Sequence, residues 1–121
     1  MMRRLGLAKV LLLPLFLLAA EPAASKMPPL WGYGVKGCDA YVAAWNGREQ
    51  GAEEQIAEYR RFEDWLAGYV SGLNLATGQD VLVGVTVESA MRRIHMYCDD
   101  HYKEDFFTAT MDLVRMLSQL K

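Results

Sequence analysis

Beyond residue 37 the apolar positions recur at helical spacing. Cys38, Tyr41, Val42 and Trp45 fall at i, i+3, i+4 and i+7, which predicts a short first helix ending near Asn46-Gly47. Ile56, Tyr59, Phe62, Leu66, Tyr69, Val70 and Leu73 form one stripe of a longer second helix from about Glu53 to Leu73, which Asn74 and Gly78 are expected to stop. A third helix is expected after Thr86, a residue type that caps helix N-termini, with Val85 and Ala90 as a staple pair. Its inner stripe is Val87, Ala90, Met91, Ile94, Tyr97 and Cys98. After the Asp99-Asp100-His101 turn a fourth helix is expected, lined inside by Phe106, Ala109, Thr110, Leu113, Leu117 and Leu120. Phe107, Met111 and Val114 add a second apolar row to it, wider than a lone surface helix needs, so this row is expected to lie under the first helix or against a partner.

The remaining segments lack that periodicity. Lys26 to Gly37 carries two prolines and three glycines and is expected to be an irregular lead-in. Leu75 to Val85 reads as a connection with an aliphatic patch, Val81-Leu82-Val83, and no second run to pair with as a sheet. The fold class is therefore all-α, a compact four-helix domain over residues 38–121.

The amino end follows a different pattern. Arg3, Arg4 and Lys9 precede an apolar run from Val10 to Ala20, followed by Ala23-Ala24-Ser25. This is the three-part layout of a secretory signal peptide over residues 1–25, with cleavage expected after Ser25 or, alternatively, after Ala20. The run is too short for a membrane span, which needs roughly 20 apolar residues, so no membrane association is expected after cleavage. The Arg3-Arg4 pair is a weak twin-arginine signal. With no cysteine before Cys38, there is no thiol near the cleavage point to carry a lipid.

Export changes the reading of the two cysteines. In an oxidising compartment Cys38 and Cys98, with no other thiol to compete, are expected to form an intramolecular disulfide. Closing a loop of this length contributes about 4 kcal/mol in the chain-entropy model. A reactive redox pair is disfavoured, because such pairs sit close together as Cys-x-x-Cys. Removing Arg3, Arg4, Lys9 and Glu21 with the leader leaves 10 basic against 14 acidic residues, a formal charge of −4, which argues against nucleic acid as a partner.

Several constellations invite a chemical reading. Gly32-Tyr33-Gly34-Val35-Lys36-Gly37 matches the glycine pattern of dinucleotide-binding loops, but no strand precedes it and no βαβ unit surrounds it. Gly68 and Gly72, four residues apart, suggest a close approach of two helix backbones, and a large side chain at either is expected to disrupt folding. His95, Asp99 and His101 flank Cys98; with that cysteine in a disulfide they leave three weakly spaced ligands, and no metal or other cofactor is expected. No nucleophile or carboxylate pair stands in a recognisable catalytic setting, so a binding protein is expected rather than an enzyme. The candidates for partner contact are the Val81-Leu82-Val83 connection and the acidic face of Glu53, Glu54 and Glu58; a negative helix start is also what the helix dipole favours.

Trp65-Leu66-Ala67-Gly68-Tyr69-Val70-Ser71-Gly72-Leu73-Asn74, then Val87-Glu88-Ser89-Ala90-Met91 running to Ile94 and Tyr97-Cys98, then Phe106 before an apolar helix, resemble the Rap/Tai type of immunity protein domain. That group is similar in general build to the periplasmic acid chaperone HdeA. The resemblance spans about Cys38 to Leu120, and Trp65, Gly68, Tyr69, Gly72 and Tyr97 carry its specific parts. It implies a compact helical fold with the Cys38–Cys98 disulfide, and a periplasmic protein that binds and blocks a peptidoglycan amidase delivered by type VI secretion. An acid-stress chaperone is the alternative, and a homodimer is compatible with either. Many members carry proline shortly after the second cysteine, where this chain has Asp99-Asp100-His101-Tyr102.

Overall fold

The computed structural model describes residues 28–120 and, before them, only Gly6, Leu12, Pro14 and Leu15. The signal-peptide reading of residues 1–25 and its cleavage point lie outside the described residues. The order is a 3₁₀ turn at Gly32–Val35, then α1 (Cys38–Glu49), α2 (Glu53–Thr77), α3 (Val87–Asp100) and α4 (Phe106–Ser118), with no strands among the described residues. No described helix is long and apolar enough to cross a membrane.

The apolar stripes meet in one core. Tyr41 of α1 stands at its centre, fully buried, with Phe106 of α4 and Phe62 of α2 edge-on to its ring at centroid distances of 4.8 and 5.1 Å. Its hydroxyl donates to the carbonyl of Met91 in α3 at 2.7 Å, so the one polar atom of a buried ring is satisfied. Burial pushes the Tyr41 phenol far above its ordinary pKa of 10.0. The Cys38–Cys98 disulfide lies in the same core, both residues fully buried and their Cα atoms 4.9 Å apart. It ties the first residue of α1 to the last full turn of α3.

Helix ends follow local chemistry. Thr86 caps α3, its hydroxyl accepting from the Ser89 amide at 3.1 Å, and the Asp105 carboxylate caps α4 by accepting from the Thr108 amide at 2.7 Å. Two helices run further than their sequence signals. α1 continues through Gly47 to Glu49, and Gln55 of α2 packs directly on the Gly47 backbone, where a Cβ would collide. α2 passes Asn74 and ends at Thr77, with Gly78 in the left-handed conformation (φ 67°) returning its amide to the Asn74 carbonyl at 2.9 Å.

The described part of the lead-in, residues 28–37, holds one 3₁₀ turn and is fastened to the helices as a clamp. Gly37 and Asp105 form an isolated antiparallel bridge, with the Cys38 amide on the Glu104 carbonyl at 2.7 Å and the Phe106 amide on the Lys36 carbonyl at 2.9 Å. Gly34 is buried beneath the Trp65 indole, where a Cβ would overlap the ring, and the indole N–H donates to the Trp31 carbonyl at 3.0 Å. Glycine is there for close approach, not looseness.

The close-contact expectation for Gly68 and Gly72 is overturned. Both are exposed, and a Cβ at either would meet nothing within 4 Å. They lie on the side of α2 away from Leu66 and Val70, which face the core. Gly68→Leu and Gly72→Leu are therefore expected to fold normally. Gly68→Ala and Gly72→Ala should each raise stability by roughly 0.5–1 kcal/mol, by lowering the backbone entropy lost on folding. Thermal melts of the two alanine variants check this, and a fall in Tm contradicts it.

Candidate partner-binding surfaces

Glu58 is not a free acidic contact. Its carboxylate accepts from the Tyr33 hydroxyl at 2.8 Å, Lys36 Nζ at 2.9 Å and Arg61 Nη1 at 2.8 Å. The α-helical i,i+3 step brings Arg61 to it, and the 3₁₀ turn presents Tyr33 and Lys36 from the same side. The Lys36 ammonium also sits 4.4 Å from the centroid of the Tyr33 ring. Hydrogen bonds from Lys36 and Tyr33, outweighing the effect of burial, hold the Glu58 carboxyl down at about 2. The same bond raises the Lys36 pKa above 10.5.

A carboxyl with a depressed folded-state pKa stabilises the fold fully above its ordinary value of 4.5, and that stabilisation is lost as pH falls from there towards about 2. Glu58→Gln is expected to lower stability by about 1 kcal/mol at pH 7. The gap in Tm between wild type and variant should close as pH is lowered from 4.5 to 2. A gap that stays constant over that range would show that Glu58 does not hold the lead-in through its charge.

Glu53 and Glu54 are exposed in the first turn of α2, where the helix dipole favours them. The Val81-Leu82-Val83 connection lies beyond the other end of this 25-residue helix, a span of about 37 Å at 1.5 Å per residue. The two sequence candidates therefore do not form one patch. The connection is also a folded turn. The Asn74 side-chain oxygen accepts from the Val81 amide at 2.8 Å, and the Asp80 carboxylate accepts from the Leu82 and Gly84 amides at 3.1 and 2.8 Å. Leu82 is 3% exposed and belongs to the core, and Val81 packs against it. Leu82 is therefore corrected from a contact residue to a core residue, and Val81 is partly buried against that core. Val83 alone faces outward, with φ at 52° in the left-handed region that a β-branched residue rarely adopts.

The second apolar row of α4 is half-buried, and two of its residues meet Tyr69 of α2. Phe107 meets the Tyr69 ring edge-on at 5.6 Å, and the Tyr69 hydroxyl approaches Met111 Sδ at 3.4 Å. Tyr69 in turn stacks on Trp65, whose indole N–H bonds the Trp31 carbonyl, so Phe107, Tyr69 and Trp65 form a continuous row that ends at the clamp.

His95 and His101 do not converge. His95 stacks on Trp45 at 4.3 Å, with Nε2 buried and 3.5 Å from the Asp99 carboxylate, whereas His101 stacks on Tyr97 at 4.0 Å and bonds the Tyr97 carbonyl through Nδ1. Among the described residues no group of three or more His, Cys, Asp or Glu is placed to hold a metal ion.

A groove of about 420 Å³ lies between α3 and α4, which the apolar spacing of the two helices does not announce. Tyr97, Leu113 and Ala109 form its floor, Met96 and Met116 its rims, and Arg93, Asp100 and Asp112 its charged edges. Met96 is 64% exposed and Met116 50%. The signal for it was present in α3, where Met96 stands on the outward face between two arginines and two aspartates.

No family model matches the chain, and no match to a curated protein or a solved structure was found.

Proposed function

We propose that this chain is an exported inhibitor that binds a peptidoglycan amidase delivered by type VI secretion, acting in the periplasm as an immunity protein and carrying out no chemistry itself. The observation that carries this reading is the resemblance of the Trp65–Asn74, Tyr97-Cys98 and Phe106 segments to immunity domains. Its support is that these segments meet in one helical unit closed by the Cys38–Cys98 bond, the build that the resemblance implies. Glu53, Glu54 and Val83 remain as outward-facing contacts on this reading.

Co-expression tests it. Where a secreted amidase is encoded beside this chain, cells that direct it to their periplasm are expected to lyse, and to survive when this chain is produced with it. Lysis that continues unchanged, with no complex on size-exclusion chromatography, would overturn the inhibitor reading and put the chaperone first.

A further inference from the structure

The groove between α3 and α4 has its charges divided along its length. Arg93, Met96 and Asp100 follow one another at steps of three and four, so they share one edge of the groove, with the exposed Met96 thioether between a cation and a carboxylate. Neither charge serves the fold. Arg93 and Asp100 make no ion pair and no side-chain hydrogen bond among the described residues, and at seven positions apart they stand beyond the step at which side chains of one helix meet. The Asp100 end is negative beyond its own carboxylate, because the carbonyl terminus of α3 lies there with no basic residue in the last turn to offset it. Burial, together with the Glu104 and Asp112 carboxylates, pushes the Tyr97 phenol in the groove floor above its ordinary value of 10.0. The other carboxylate of the groove, Asp112, lies 4.0 Å from Arg115 of its own helix.

We propose that this groove binds a short peptide with free termini, about three residues long and apolar in the middle, its carboxylate on Arg93 and its ammonium on Asp100. The length follows from the spacing of the two charges. Seven positions of helix rise about 10.5 Å at 1.5 Å per residue, and three extended residues span about 10–11 Å at 3.3–3.6 Å each. The middle side chain then lies over Tyr97 and Leu113, between the Met96 and Met116 rims. Thioethers adapt to side chains of different shape, so these walls select apolar character rather than one residue type. The volume of about 420 Å³ falls within the roughly 300–1,000 Å³ of small-ligand sites. A zwitterion fits better than a purely apolar or purely cationic ligand, because both unpaired charges of the α3 edge then meet their opposites, and a guanidinium can take a terminal carboxylate through two parallel hydrogen bonds. The inference goes beyond the inhibitor reading and does not depend on it.

A peptide titration with blocked and free termini reads it out. The chain is expressed from its first residue with nitrogen-15 label, purified with its disulfide formed, and titrated with the peptide Ala-Leu-Ala at about pH 6.5, where both peptide termini are charged. Amide signals of residues 93–101 and 109–116 are expected to shift and to saturate, while signals elsewhere stay in place and show that each variant is folded. Amidating the carboxyl end or acetylating the amino end of the peptide should each weaken binding by about three- to fivefold. In Arg93→Gln the amidated and free peptides should bind alike, and in Asp100→Asn the acetylated and free peptides should, since each variant already lacks the charge that the blocked end would have met. Four results would each overturn the proposal. One is the absence of any saturable shift, and another is a penalty for blocking that persists in both variants. A third is blocked peptides that bind the wild type as well as Ala-Leu-Ala does, the behaviour of a groove that takes an internal segment of a partner protein. The last is groove signals that move with protein concentration when no peptide is present, which would put a second copy of the chain there instead.

Discussion

Cys38→Ala/Cys98→Ala is expected to cost about 2–5 kcal/mol and to lower Tm by on the order of 10–20 °C. The bond links residues 60 apart in sequence, so its removal releases a long loop in the unfolded chain. It also weakens the element least able to stand alone. α1 has 12 residues, at the lower end of the roughly 12–15 under which even alanine-rich helices are marginal in water, and the bond fixes its first residue to α3. Both cysteines are fully buried beside Tyr41 and Phe106, so their loss also loosens the centre of the core. Thermal unfolding with and without reductant measures the effect. Alkylation of both thiols in unreduced, freshly purified protein would contradict the bond itself.

Gly34→Val carries the second largest effect, a destabilisation of about 1–3 kcal/mol through overpacking. The new side chain would occupy the position of the Trp65 indole, forcing the ring off Gly34 and breaking its hydrogen bond to the Trp31 carbonyl. Because Trp65 also stacks on Tyr69 and meets Phe106 edge-on at 5.7 Å, the displacement passes from the lead-in to both α2 and α4. Near-UV circular dichroism should lose tryptophan signal while the far-UV helical signal stays, and Tm should fall. The control is Gly68→Leu, which inserts a larger side chain into open space and should leave both signals unchanged. Equal melting temperatures for Gly34→Val and wild type would show that the clamp is not part of the fold.

These two glycines also mark how far the sequence can be read. All four helices are legible from spacing, because their apolar stripes are set by local periodicity, and the Thr86 cap is legible because it acts within three residues. The Gly68 and Gly72 reading fails on a point that the same periodicity contains. At about 100° per residue each glycine lies about 160° around the helix from the core residue two positions before it, Leu66 and Val70, so the spacing of four alone could not show that they face inward. Gly34 fails for the opposite reason. Its requirement comes from Trp65, 31 positions away, and glycine and proline density near it reads locally as looseness. The acidic face divides in the same manner. Glu53 and Glu54 answer to their own helix end, whereas Glu58 answers to Tyr33 and Lys36, which only the folded chain brings within 3 Å. Val81-Leu82-Val83 was visible as an aliphatic run, but the Asp80 and Asn74 hydrogen bonds that turn Leu82 inward depend on where α2 ends.

The central claim is that this protein is a stoichiometric inhibitor, and an inhibition titration tests it most directly. A secreted amidase identified beside this chain's gene is purified, its release of peptide amines from isolated cell-wall sacculi is followed, and this protein is added with its disulfide intact. The account predicts that the rate falls linearly and vanishes near one equivalent, with no release by this protein alone. A rate that stays unchanged at a tenfold excess would contradict it.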